Sequence, residues 1–141
     1  LFFILFFTIF SYIYDINVII MEKLTQQEEE AMQLIWRNGG GFIKELLDCM
    51  EGEKVPYTTL ASTLKNLQRK GYVKAVKYAN AYRYEALVKE EDYKKLFMNG
   101  FVSDYFRNSY KELVSFFARE EKISTEELDE IIRMIKEDKS E

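Results

Sequence analysis

A mostly α-helical fold with one small β-hairpin is predicted by three observations. Apolar residues recur at helical spacing through most of the chain after Met21. Capping residues and glycines mark where those runs start and stop. Only the stretches "YVKAVKY" and "YRYEAL" alternate their side chains as strands do. The chain has 141 residues, room for one ordinary domain or two small ones. Its 11 Phe and 10 Tyr argue against disorder.

Composition narrows the chemistry. There is no histidine and one cysteine, Cys49, which rules out His-based catalysis, a CxxC metal site and a disulfide framework within the chain. No nucleophile–base pair, phosphate loop or metal cluster is visible. No enzyme, no metal and no cofactor are therefore expected. Cys49 lies in the apolar stretch "FIKELLDCM" and is expected to be a buried core thiol.

Residues 1–20, "LFFILFFTIFSYIYDINVII", approach the length of a membrane span. No Lys or Arg precedes the apolar run, no small-residue cleavage site follows it, and Asp15 would cost about 3 kcal/mol near a bilayer centre. The segment uses residues with AT-rich codons and lacks Gly, Ala, Pro and Arg. It is expected to be a non-native, upstream-translated extension, with the start at Met21. A membrane partner is expected only if these residues are genuine, and the localisation is expected to be cytoplasmic.

From Met21 onward, Thr25 and Glu28 form a capping-box pattern for a first helix. Ala31, Met32, Leu34 and Ile35 supply its apolar face, and Gly39-Gly40-Gly41 stops it. A second short helix follows over "FIKELLDCMEG", ending at Gly52. Pro56 then opens a third, "YTTLASTLKNLQRKG", where a missing N–H is tolerated. In it Leu60, Leu64 and Leu67 make one inward stripe. The rest of its surface carries Thr58, Thr59, Ser62, Thr63, Asn66, Arg69 and Lys70. Short hydroxyls and cations without acids suit approach to a phosphate backbone and base edges. The two strands follow, with Asn80 at the tip of the turn between them. Tyr82 and Tyr84 are expected to pack inward.

Charge is segregated. From Lys54 to Tyr84 there are seven cations (Lys54, Lys65, Arg69, Lys70, Lys74, Lys77 and Arg83) and no Asp or Glu. From Glu91 to Glu141 there are 13 acids against 9 bases, although the whole chain carries only −4. A basic block of this kind points to a binding face, with double-stranded DNA the partner expected; a solvated face with no partner, which more often mixes both signs, is the alternative. Three helices and then a basic hairpin is the order of a winged helix-turn-helix, whose recognition helix enters the major groove. The hydroxyls Thr58, Thr59, Ser62 and Thr63, with Asn66, are the candidates for base reading. Arg69, Lys70, Lys74, Lys77 and Arg83 are the candidates for DNA contact from the basic side, the lysines and Arg69 on phosphates. The alternative is a winged-helix protein–protein module that binds no DNA.

After Val88 the pattern is helical and free of proline. Ser124 and Glu127 repeat the capping box ahead of Leu128, Ile131, Ile132 and Ile135. With Phe101, Tyr105, Leu113, Phe116 and Phe117, these residues supply more apolar surface than thin helices bury alone. That surplus points to a homodimer interface; packing of the tail on its own chain is the alternative. The domain boundaries expected are 1–20 extension, 21–88 winged-helix DNA-binding domain and 89–141 helical dimerisation region.

The stretches "LTQQEEEAMQLIW", "TTLASTLKNLQRKGYV", "NAYRYEAL" and "ELVSFFAREEKISTEELDEIIRMI" together resemble the penicillinase-repressor family of bacterial winged-helix regulators, from Leu24 to Ile135. The resemblance implies a homodimeric transcriptional repressor on a palindromic operator, two-fold protein symmetry calling for matching half-sites. The family pattern keeps Thr where Thr59 stands and Lys-Gly where Lys70 and Gly71 stand. It usually has Arg at the position of Asn66. Copper-responsive members carry a C-terminal cysteine cluster that is absent here. β-Lactam-responsive members are cleaved at an Asn-Phe bond, and the corresponding position is Phe116-Phe117, after Ser115. An upstream sensor or protease is the further partner that the resemblance implies.

Overall fold

The computed structural model describes residues 1–19 and 21–140, with backbone only for 13–19. The chain divides into two compact units, Leu1–Leu96 and Phe97–Glu141.

In the first unit, α1 (Phe2–Ile19) presents Phe2, Phe3, Phe7 and Phe10 to solvent. Among the described residues, no helix is long and apolar enough to cross a membrane. Next comes α2 (Gln26–Asn38). Its capping box is closed: the Glu28 amide donates to Thr25 Oγ1 at 3.3 Å, and the Thr25 amide donates to Glu28 Oε2 at 2.8 Å. At its other end Gly39 turns left-handed (φ 65°) and the Gly40 amide returns to the Ile35 carbonyl at 2.9 Å.

The glycines then lead into an element that the sequence pattern missed. Gly41–Phe42 form a short strand β1, ahead of α3 (Ile43–Asp48) and α4 (Tyr57–Arg69). β2 (Val73–Tyr78) and β3 (Ala81–Ala86) make the hairpin, and β1 pairs antiparallel with β3, Gly41 opposite Tyr84 and Phe42 opposite Arg83. The sheet is therefore three-stranded, order β1-β3-β2. Helix, strand, two helices and then a hairpin that closes back on the first strand is the winged helix-turn-helix architecture.

The core lies between α2, α3, α4 and the inner side of the sheet, with Met32, Ile35, Leu46, Leu64, Leu67, Tyr72 and Val73 at its centre. Trp36 donates its indole N–H to the Val88 carbonyl at 2.8 Å, fixing the chain as it leaves β3. Tyr93, on the first turn of α5 (Glu90–Phe106), packs tilted against Trp36 and edge-on against Tyr72 with centroids 5.5 and 6.1 Å away.

Two local expectations change. Cys49 is exposed rather than buried, because α3 stops at Asp48 and its thiol falls beyond the helix face that packs. Asn80 stands in the two-residue turn, with Ala79 before it in the left-handed region (φ 51°). Tyr84 packs inward, but Tyr82, two residues earlier on β3, remains half exposed.

In the second unit, α5 continues to Phe106 and is followed by α6 (Tyr110–Arg119) and α7 (Thr125–Asp138). Arg107 and Asn108 both turn left-handed, and the Asn108 amide closes onto the Val102 carbonyl at 3.0 Å. Val102 and Leu113 are the buried apolar residues of this unit. Phe101, Phe106, Phe116 and Phe117 form a run of ring contacts at 5.5–5.8 Å. Ser124 caps α7, its hydroxyl accepting the Glu127 amide at 3.2 Å.

Candidate nucleic-acid interface

Helix α4 has two faces set by spacing alone. Leu60, Thr63, Leu64 and Leu67 are buried. Thr58, Ser62, Lys65 and Arg69, at i, i+4, i+7 and i+11, line the opposite, solvent-facing side, with Asn66 beside them. Thr59 is half-buried at the edge, and its carbonyl accepts the hydroxyls of Ser62 and Thr63, each at 2.9 Å. Thr63, one of the base-reading hydroxyls expected, is buried and so not offered to a ligand, whereas Ser62, which makes the same hydrogen bond to the Thr59 carbonyl, stays exposed. Lys65 lies outside the candidate set read from the sequence, although the i, i+4, i+7 spacing that turns the leucines inward also places it on the outward stripe.

The cations of the basic block differ in what they touch. Lys65 and Lys77 are exposed and make no ion pair among the described residues. Arg69 meets Glu22 at 3.5 Å with both side chains 62% exposed, a pair that water and salt weaken readily. Lys74 pairs with Glu85 at 3.4 Å across the hairpin, where the register sets the two opposite each other. Arg83 donates to the same Glu85 at 2.9 Å and to the Gly39 carbonyl at 3.0 Å, tying the sheet to the end of α2.

Lys70 stands apart. Its ammonium donates to Glu28 at 2.8 Å and to the Lys23 carbonyl at 3.0 Å, with only 8% of the side chain exposed. This placement does not suit the phosphate contact expected of it. Burial pushes the Glu28 carboxyl up, but the hydrogen bonds from Lys70 and from the Thr25 amide outweigh it and hold the pKa below the ordinary 4.5. Tyr72, whose hydroxyl donates to the Glu22 carbonyl at 2.8 Å, has its pKa raised by burial first and by the nearby Glu28 and Glu22 carboxylates next.

The hairpin end adds aromatic surface. Tyr57 at the start of α4, with Tyr78 and Tyr82 on the strands, is about half exposed around an open cleft of about 560 Å³ that also takes in Phe42 and Lys44. Among the described residues no group of three or more His, Cys, Asp or Glu is placed to hold a metal ion.

Of the residues expected at a dimer contact, Tyr105, Phe116, Phe117, Ile131, Ile132 and Ile135 are exposed. Phe101 and Leu128 are partly buried, and Leu113 is buried within its own chain.

Residues 24–137 match the family model described as "Penicillinase repressor". The penicillinase repressor of Staphylococcus aureus is 24% identical over 110 residues, which cover 77% of this chain and 87% of that protein. The methicillin resistance regulatory protein MecI of Mammaliicoccus sciuri is 25% identical over 113 residues, covering 77% and 89%. Among solved structures, the monomeric form of BlaI from Bacillus licheniformis in complex with a half-operator is 22% identical. It covers 52% of this chain and 90% of that one, at a TM-score of 0.44.

Proposed function

The chain belongs to the penicillinase repressor family, a family of repressors rather than enzymes, and from that premise we propose that it is a homodimeric transcriptional repressor of a palindromic operator. In this reading the cytoplasmic protein consists of a winged-helix domain over 21–88 and a helical dimerisation region over 89–141. The observation that carries the DNA-binding part is the outward face of α4, where Thr58, Ser62, Lys65, Asn66 and Arg69 form a surface of short polar groups and cations to which the helix itself contributes no acidic side chain.

The division of labour follows from chemistry. Thr58, Ser62 and Asn66 are short enough to read base edges once α4 lies in the major groove. Lys65, Arg69 and Lys77 hold phosphates, and Lys74 joins them if DNA displaces it from the exposed side of its pair with Glu85. Arg83 and Lys70 are committed within the protein. Two-fold symmetry comes from the exposed apolar faces of α6 and α7, where Phe116, Phe117, Ile131, Ile132 and Ile135 are each between 38% and 50% exposed.

The test is a fluorescence anisotropy titration of the full chain on the DNA upstream of its own gene, against a scrambled duplex, at two salt concentrations. Strong preference for the native duplex at two protomers per site is expected. Equal, weak and salt-sensitive binding to both would reduce the reading to a basic surface, and no binding by a folded dimer would favour a protein partner.

A further inference from the structure

Lys70 caps the C-terminal end of α4, one residue after the exposed Arg69, yet its side chain runs inward. Two of its three donors reach protein oxygens, Glu28 Oε2 at 2.8 Å and the Lys23 carbonyl at 3.0 Å. The Glu22 carboxylate stands 3.9 Å away. Glu28 is 6% exposed, and the oxygen that receives Lys70 is the one that accepts the Thr25 amide to close the start of α2. Two residues beyond Lys70, Tyr72 ties the same N-terminal segment through the Glu22 carbonyl. One buried carboxylate thus joins the first turn of α2 to the last turn of α4.

An apolar pair of equal volume would serve stability as well or better, since removing two charges from water is costly. What a buried ion pair adds over an apolar one is a demand on position: each charge must stay within reach of its partner or be left buried and unpaired. We propose that the Lys70–Glu28 pair is an anchor that sets the orientation of α4, making Lys70 a positioning residue for DNA binding rather than a phosphate contact. The inference rests on the DNA-binding reading above for its functional half. Its structural half stands alone.

Phosphate contact and positioning separate cleanly, because Glu28 as an anion would repel a phosphate. Full-length Lys70→Met, Glu28→Gln and the double variant would be titrated on the upstream and scrambled duplexes across a range of salt, and melted without DNA. Each single variant is expected to weaken specific binding by between about twofold and thirtyfold with an unchanged salt slope. The double variant is expected to be no worse than the weaker single in affinity or melting temperature, because one contact is broken from either side. Arg69→Gln serves as the control and lowers the slope by about 0.9.

A slope lowered by about 0.9 in Lys70→Met, with Glu28→Gln neutral or tighter, would make Lys70 a phosphate contact and overturn the proposal. Folded single variants with the affinity and slope of the parent protein would also overturn it. Glu28→Gln, which keeps the side-chain shape, carries the test if Lys70→Met does not fold. If the parent protein binds neither duplex, the DNA reading fails, and the anchor is judged by melting alone. Non-additive losses would then support it, and additive ones would remove it.

Discussion

Gly39 and Gly40 are neighbours in sequence, yet alanine should cost much more at the second than at the first. Both have positive φ, 65° and 92°. Left-handed backbone costs an L-residue about 1–2 kcal/mol. Part of that, about 0.4–1 kcal/mol, returns because alanine restricts the unfolded chain. At Gly39 nothing lies within 4 Å of an added Cβ, so Gly39→Ala should cost about 1 kcal/mol. At Gly40 the same atom would sit 2.6 Å from the Tyr84 carbonyl oxygen and 2.9 Å from Arg83 Nη1. The oxygen belongs to β3 where β1 pairs with it, and cannot move without opening that ladder. Overpacking of this kind adds about 1–3 kcal/mol, for a total of about 2–4. Urea denaturation followed by the fluorescence of Trp36, the single tryptophan, reads both variants on one scale. Equal costs at the two positions, or a smaller one at Gly40, would refute the close approach of the α2–β1 turn to β3.

Other consequences are open to direct measurement. Ala79→Gly should stabilise the protein by about 0.5–1 kcal/mol, since glycine removes the left-handed penalty at the hairpin tip; a loss of stability would mean that the turn is built otherwise. Because the folded pKa of Glu28 is depressed, its contribution is fully present above the ordinary 4.5 and is lost as pH falls through the lower folded value. Glu28→Gln should therefore flatten the acid limb of stability below pH 4.5, and an unchanged limb would contradict the linkage. In the alkaline direction Tyr72, Tyr84 and Tyr93 all have raised folded pKa values, chiefly through burial. Their contribution is intact below the ordinary 10 and fades as pH rises through the folded values, so the share of tyrosinate absorbance that Tyr72→Phe, Tyr84→Phe and Tyr93→Phe remove should appear together with unfolding rather than before it. Lys65→Gln should weaken binding to all duplexes alike and lower the salt slope by about 0.9; an altered sequence preference would instead place Lys65 on a base.

Helix α4 was legible because its leucines recur at one period and its caps are local. The capping boxes at Thr25 and Ser124 were legible for the same reason: donor and acceptor lie three residues apart. What the sequence did not disclose was set by partners far along the chain. Strand β1 has only two residues and exists because β3, some 40 positions later, offers it a free edge. The basic block loses part of its charge the same way. Glu85 lies just outside the acid-free run but faces Lys74 across the hairpin, and Glu28 reaches Lys70 from α2. Counting charge along a segment finds a basic region; only pairing across elements tells which cations remain for a ligand.

The central claim, that the outward face of α4 meets DNA, is tested most directly by charge reversal. Lys65→Glu/Arg69→Glu would be compared with a control, Lys122→Glu/Lys139→Glu, on the duplex that the parent protein prefers. With helix content and oligomeric state unchanged, the α4 variant should lose specific binding while the control retains it. Binding that survives reversal on α4, or falls equally in both variants, would contradict the account.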